Sequence, residues 1–274
     1  MSARVCPACG GLNSADEQTC YRCKRRLPGR ATNKLSQLAA EGALVTRGVI
    51  LLCLIVFGLM VATDGRMPLA PELGMGRGFR PYTLVRFGAL LDVPGFPLEW
   101  WRLLSAVFVH ASVLHLGLNL WVLLRFGTMI EERFGAARTA LTFIITGVFG
   151  FAMSTLWGVP FTLGASGGIF GLLGAEIGIL VIRKVPNWKA VLGERLVSAL
   201  ILALVMRVNT PAHIGGLAAG VGLGMLFEAE KRRPLVSSIL GVVAGLFALA
   251  SVGSVGLSTS SPLTKEVARE VIEE

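Results

Sequence analysis

Ser166 stands in Gly164-Ala165-Ser166-Gly167, and His213 in Ala212-His213-Ile214-Gly215-Gly216, 47 residues later. Each heads an apolar, glycine-spaced stretch. A hydroxyl and an imidazole so placed read as a nucleophile and its general base, because ionisable groups inside a bilayer are costly and mark functional positions. Gly164, which opens the serine turn, is a supporting residue. His115 and Asn119 are four apart and share one face of a helix. Two fixed donors aimed at one point make an oxyanion hole; the other reading of Asn119 is a hydrogen bond to a neighbouring helix. His110, five before His115, either supports this network or is a satisfied loop histidine.

The carboxylates narrow the chemistry. The three aspartates are Asp16, Asp64 and Asp92, none in a helix near His213. A Ser-His dyad is therefore the natural reading, not a triad. Phe170, one turn after Ser166, can stack on the His213 ring in place of a carboxylate. Paired intramembrane aspartates and an H-E-x-x-H motif are both lacking, which disfavours aspartyl and metal-dependent proteolysis.

The elements that must carry these residues are membrane helices. Of 274 residues 53% are hydrophobic and 16% charged, and mean hydropathy is +0.68. A soluble domain carries more charge. The apolar runs predict seven spans, at about 44–63, 114–130, 140–158, 166–182, 195–209, 213–227 and 236–257, of which the fifth and sixth are short of the roughly 20 residues a bilayer needs. Residues 1–40 are polar and basic, unlike a cleavable signal peptide. The net charge of +9 follows topology and not nucleic acid: most Lys and Arg fall on one side when the N-terminus is cytosolic, which leaves an acidic C-terminus outside. The loop of about 50 residues after the first span, with Trp100-Trp101-Arg102, suits the headgroup layer. Glycines at Gly167, Gly171, Gly174 and Gly178, and at Gly216, Gly220 and Gly224, let two helix backbones approach closely. Glu176 has no assigned role.

Cys6, Cys9, Cys20 and Cys23 form C-x2-C-x10-C-x2-C. Four thiolates fill the tetrahedral shell of a structural zinc and leave no open position for metal catalysis. A disulfide pair is the alternative, disfavoured in the cytosol. About 30 residues cannot build a core alone, so the metal would supply folding free energy. The basic run Lys24-Arg25-Arg26 and Arg30 suits anionic headgroups.

The Trp-Arg pair, the H-x4-H-x3-N run, the G-A-S-G turn and the A-H-x-G-G helix, in this order, resemble the rhomboid intramembrane serine proteases over about residues 45–230. The resemblance implies an all-α membrane protein. Its core would be a six-helix rhomboid-like bundle (44–230); the cysteine spacing and the apolar runs add a zinc-ribbon-like module (1–30), a linker (31–43), a seventh transmembrane helix (231–258) beyond the family's core and a polar tail (259–274). The resemblance assigns the nucleophile to Ser166, the base to His213 and the oxyanion donors to His115, Asn119 and the Ser166 amide. Some relatives carry tyrosine where Phe170 stands. Glu131 and Arg133 resemble a structural Glu-x-Arg that ties the bundle together. Expected partners are transmembrane protein substrates, the lipid bilayer and a cytosolic protein for the cysteine module; nucleic acid is not expected. The expected location is a bacterial inner membrane. An inactive rhomboid-like chaperone or client-binding protein is the alternative, and inactive relatives typically lose one dyad member. A transporter lacks the repeated halves expected there.

Overall fold

The glycine stripes decide how the central helices meet. A Cβ at Gly216 or Gly220 would fall on the carbonyl oxygens of Gly167 or Gly171, and one at Gly174 or Gly178 on those of Leu217 or Val221. Only hydrogen fits, so two backbones lie in direct contact where ordinary side chains would hold them apart. These backbones are Ser166–Arg183 (α6) and Thr210–Glu230 (α7). They pack on each other and on Ala136–Leu156 (α5).

The computed structural model describes residues 4–5, 12–14, 17–24, 27, 43–92, 94–95, 98–183, 187–194, 196–197, 209–230 and 234–273. It divides into two compact units, Met1–Leu44 and Val45–Glu274. In the first, strands Arg4–Val5 (β1) and Leu12–Asn13 (β2) pair antiparallel. Cys20 is buried against Leu27 and Cys23.

In the second unit the remaining elements are Leu44–Asp64 (α1), Pro81–Arg86 (α2), Leu90–Leu91 (β3), Arg102–Ser105 (α3), Val113–Phe134 (α4), Phe161–Thr162 (β4), Pro234–Thr259 (α8) and Pro262–Glu273 (α9). Among the described residues, six helices are long and apolar enough to cross a membrane. The span expected at 195–209 lies almost wholly outside the described residues. Leu51, Leu54, Ile55, Trp121, Phe149, Leu246 and Leu249 stay exposed on these helices, as lipid-facing side chains must.

Helix ends are fixed by polar side chains. Glu131, on α4, accepts hydrogen bonds from the backbone N–H groups of Val45 and Thr46 and from the Thr46 hydroxyl, at 2.8–2.9 Å. It thereby caps the start of α1, where free amides favour an anion. Arg133 approaches Glu228 at 3.8 Å, and Arg183 pairs with the same carboxylate at 2.6 Å. The Glu-x-Arg pair thus joins α4 to α1 and to α7.

Two expectations are corrected. Arg102 is not a headgroup residue: it is 0% exposed. Its Nε donates to Glu99 at 2.6 Å, Nη1 to the carbonyls of Val85 and Ala89, and Nη2 to Ser261 Oγ and Thr264 Oγ1 at 2.9 and 3.0 Å. The five N–H donors of a guanidinium find five acceptors, so the protein interior replaces water. Nor is the serine-rich stretch 253–264 loose: it is helical through Thr259 and again from Pro262. Ser251, Ser254 and Ser258 return their hydroxyls to carbonyls three or four residues back, so α8 continues through its serine-rich end. α9 follows at once, with Ser261, Leu263 and Thr264 buried.

Candidate active site

The stretch that delivers Ser166 is clamped from several sides. β4 pairs antiparallel with β3, Leu90 opposite Thr162. The Gly164 N–H donates to the Ala106 carbonyl at 2.8 Å, and the Ala165 N–H to His110 Nε2 at 3.4 Å. Gly164 has φ +110, a conformation that other residues rarely adopt. A Cβ there would also lie 2.9 Å from His115 Cε1 and Nε2. Glycine is required twice over: by the turn, and by the imidazole against it. Ser166 then begins α6, so its N–H has no partner within the helix.

His213 comes from the first turn of α7. That helix starts at 210, not at the expected 213, because Asn209 caps it: the Asn209 side-chain oxygen accepts from the Ala212 N–H at 3.2 Å. The base therefore sits inside a capped helix. His213 Nε2 lies 2.8 Å from Ser166 Oγ. The Phe170 ring stacks on the imidazole, with centroids 4.2 Å apart and planes within 10°. Such a stack contributes about 0.5–1.5 kcal/mol. Among the described residues no carboxylate bonds to the ring. Asp64 serves Thr83 and Arg80 instead.

The other two histidines have tautomers set by their neighbours. His110 Nε2 receives the Ala165 N–H, so its proton sits on Nδ1, 3.2 Å from the Phe108 carbonyl oxygen. Burial, then the neighbouring His115, pushes His110 down from 6.5 to about 3; it stays neutral across the physiological range. His115 Nδ1 receives the Ala111 N–H at 3.4 Å, which leaves the proton on Nε2, the edge against the Ser166 turn. The rings of His110 and His115 meet edge to face at 5.1 Å. Asn119 is buried one turn below and spends one amide hydrogen on the His115 carbonyl at 2.8 Å. A side-chain amide carries a second hydrogen as well.

Ser166, His213, Phe170, Gly164, His110 and His115 thus form one cluster, with Asn119 joined to it through His115. Sequence reasoning missed Asn209, Ser154 and Thr162. The Asn209 amide donates to both of these hydroxyls, to Thr162 at 2.9 Å. An N-cap signal was present in Asn209-Thr210-Pro211, where proline suits the first turn.

Of the four cysteines, Cys6 and Cys9 lie outside the described residues. The other pair brackets a tight turn, in which the Lys24 N–H donates to the Cys20 carbonyl at 2.9 Å. Cys20 is 0% exposed. Cys20 and Cys23 are thus two thiols three residues apart across one turn, the donor type and spacing that structural zinc takes. No group of three or more possible metal ligands occurs among the described residues.

Residues 97–230 match the family described as the Rhomboid domain. Rhomboid protease GluP of Bacillus subtilis is 33% identical over 195 residues, 68% of this chain and 37% of that protein. RHOMBOID-like protein 6, mitochondrial, of Arabidopsis thaliana is 36% identical over 144 residues, 49% of this chain and 46% of that protein. Rhomboid-like protease 3 of Toxoplasma gondii is 29% identical over 168 residues, 57% of this chain and 63% of that protein. The matched stretch covers less than two thirds of each relative's length.

Proposed function

We propose that this multi-pass membrane protein, with its rhomboid domain, is a serine endopeptidase that cleaves membrane proteins in or beside their transmembrane segments by a Ser166–His213 dyad. The observation that carries this reading is the 2.8 Å contact between Ser166 Oγ and His213 Nε2. As Oγ attacks the scissile carbonyl carbon, Nε2 takes the hydroxyl proton. The carbonyl oxygen becomes an oxyanion, received by His115 Nε2–H, the second Asn119 amide hydrogen and the Ser166 N–H. Collapse of the tetrahedral intermediate breaks the C–N bond. The imidazolium gives its proton to the departing amine, which leaves an acyl-serine. Water then attacks the ester, with His213 again as base, and releases the acid. Phe170 holds the imidazole plane where a triad would use a carboxylate. Substrates are transmembrane helices with small or helix-breaking residues near the cut, because a helical peptide bond is shielded until it unwinds.

The test is paired labelling and cleavage. A fluorophosphonate should label the wild type at Ser166, and purified protein should cut a model transmembrane substrate; S166A should do neither while still folding. Undiminished cleavage by S166A would overturn the assignment. A folded wild type that neither reacts nor cleaves would instead favour a client-binding protein, the reading against which the intact dyad weighs.

The four cysteines hold a structural zinc in this proposal. The metal organises the N-terminal module, which recruits a cytosolic partner, and takes no part in peptide hydrolysis. Purified protein should release about one zinc per chain on thiol modification, and C20S should abolish this. The charge distribution supports a cytosolic N-terminus, testable by labelling introduced cysteines from either side of the membrane.

A further inference from the structure

Glycine contacts set how closely α6 and α7 approach along their length, and side chains tie the first turn of one to the segment that leads into the other. The alignment of the two first turns decides whether Ser166 and His213 meet. Three side chains outside the reacting pair, Asn209, Thr162 and Ser154, lie at this point. Asn209 stands four residues before His213, and Thr162 four residues before Ser166. The Asn209 side-chain oxygen accepts the Ala212 N–H at 3.2 Å, and its backbone carbonyl accepts the His213 N–H, also at 3.2 Å. The turn that bears the base is therefore fixed to Asn209. Both hydrogens of its amide nitrogen point away from the helix, one to Thr162 Oγ1 at 2.9 Å and one to Ser154 Oγ. These two hydroxyl oxygens are themselves 2.9 Å apart. Ser154 and Thr162 are 0% and 3% exposed, so water does not compete for these bonds.

The three side chains close a triangle between three elements: the last turn of α5, the strand β4 that leads into the Ser166 turn, and the cap of α7. Capping alone needs only the side-chain oxygen of Asn209. The amide nitrogen, which a serine or aspartate cap lacks, is the part used to reach the strand.

We propose that Asn209 and Thr162, closed by Ser154, are positioning residues that hold the Ser166 turn and the His213 turn in register; this rests on the reading of Ser166 and His213 as the catalytic dyad. The triangle touches neither reacting atom. It acts through the backbone on the separation of the two.

The experiment compares folded variants in detergent or proteoliposomes on a transmembrane substrate. T162V removes one hydroxyl and leaves the cap bond between Asn209 and Ala212 in place. N209S keeps a capping oxygen but loses the two-way link. Both should lower kcat about 10- to 100-fold with KM changed by less than about twofold, the cost of a small misplacement of reacting groups. T162S, which restores the hydroxyl, should recover most of the rate. The double variant T162V/N209S should be no slower than the worse single, because both break one link. Wild-type kcat in folded T162V, no recovery in T162S, or a loss that appears only in KM each overturns the proposal. T162V and T162S suffice to decide between these outcomes, so failure of N209S to fold does not block the test. Should the wild type show no Ser166-dependent cleavage, the dyad reading itself fails, and that result is separate from any ranking of the variants.

Discussion

Arg102 and His213 are both buried side chains that can carry a positive charge, and the protein treats them in opposite ways. Around Arg102 each N–H has a partner: a carboxylate, two carbonyls and two hydroxyls, drawn from residues before and far after it in the chain. Among the described residues the His213 ring has one hydrogen bond, to Ser166, and one aromatic face. A fully satisfied centre gains rigidity and has nothing left to offer a substrate. A sparsely bonded imidazole keeps a basic nitrogen on a nucleophile, ready to exchange a proton. In the proposed reading the first centre serves stability and the second reactivity, and glycine packing lets the second form with no carboxylate on the ring among the described residues.

The sharpest way to break this comparison is to delete the reactive pair. S166A and H213A should each lower cleavage by roughly 10⁴-fold or more, and the double variant should be no worse, since the two act as a unit. Melting temperatures should stay close to wild type; a large drop would mean that the dyad also serves stability. Arg102→Met should do the reverse. It leaves Glu99 buried without its counter-charge and should cost about 3–5 kcal/mol in reversible unfolding. Folded molecules should retain Ser166 labelling. F170A should cost about 0.5–1.5 kcal/mol from the lost stack, with a several-fold fall in kcat that F170Y, which keeps the ring, restores.

The smallest effect concerns pH. His110 titrates near 3 when folded and near 6.5 when free. Its contribution is fully present above pH 6.5, because both states are then neutral. As pH falls below 6.5 the unfolded chain takes up a proton that the folded chain refuses, and stability declines toward pH 3. His110→Gln keeps an acceptor for the Ala165 N–H but does not titrate. Thermal melts between pH 7 and 5 should therefore slope less steeply in H110Q than in wild type.

Much of the reactive centre could be read in the sequence because its residue types are rare in an apolar chain. The protein has three histidines, and all three lie at the site. Gly164 and the glycine stripes were visible as spacing, although that spacing alone does not say which carbonyl each glycine faces. The Arg102 centre was misread for a physical reason: arginine beside tryptophan normally lies in the headgroup layer. Nothing local announces that hydroxyls 159 and 162 residues downstream supply the missing acceptors. Asn209 was missed in the same way. As a cap it is commonplace, and only the fold places Ser154 and Thr162 beside its amide nitrogen. Long-range polar pairing is the part of such a protein that periodicity does not reveal.

The late origin of two Arg102 partners has a consequence for biosynthesis. When the ribosome has finished α3, Glu99 and Arg102 have both been made, but Ser261 and Thr264 have yet to be translated. Until they arrive, two of the guanidinium hydrogens must be served by water or phospholipid. Final seating of this loop is therefore a late step in membrane insertion, after the helix bearing His213 has been made, and a nascent chain halted before residue 261 carries an unfinished arginine shell.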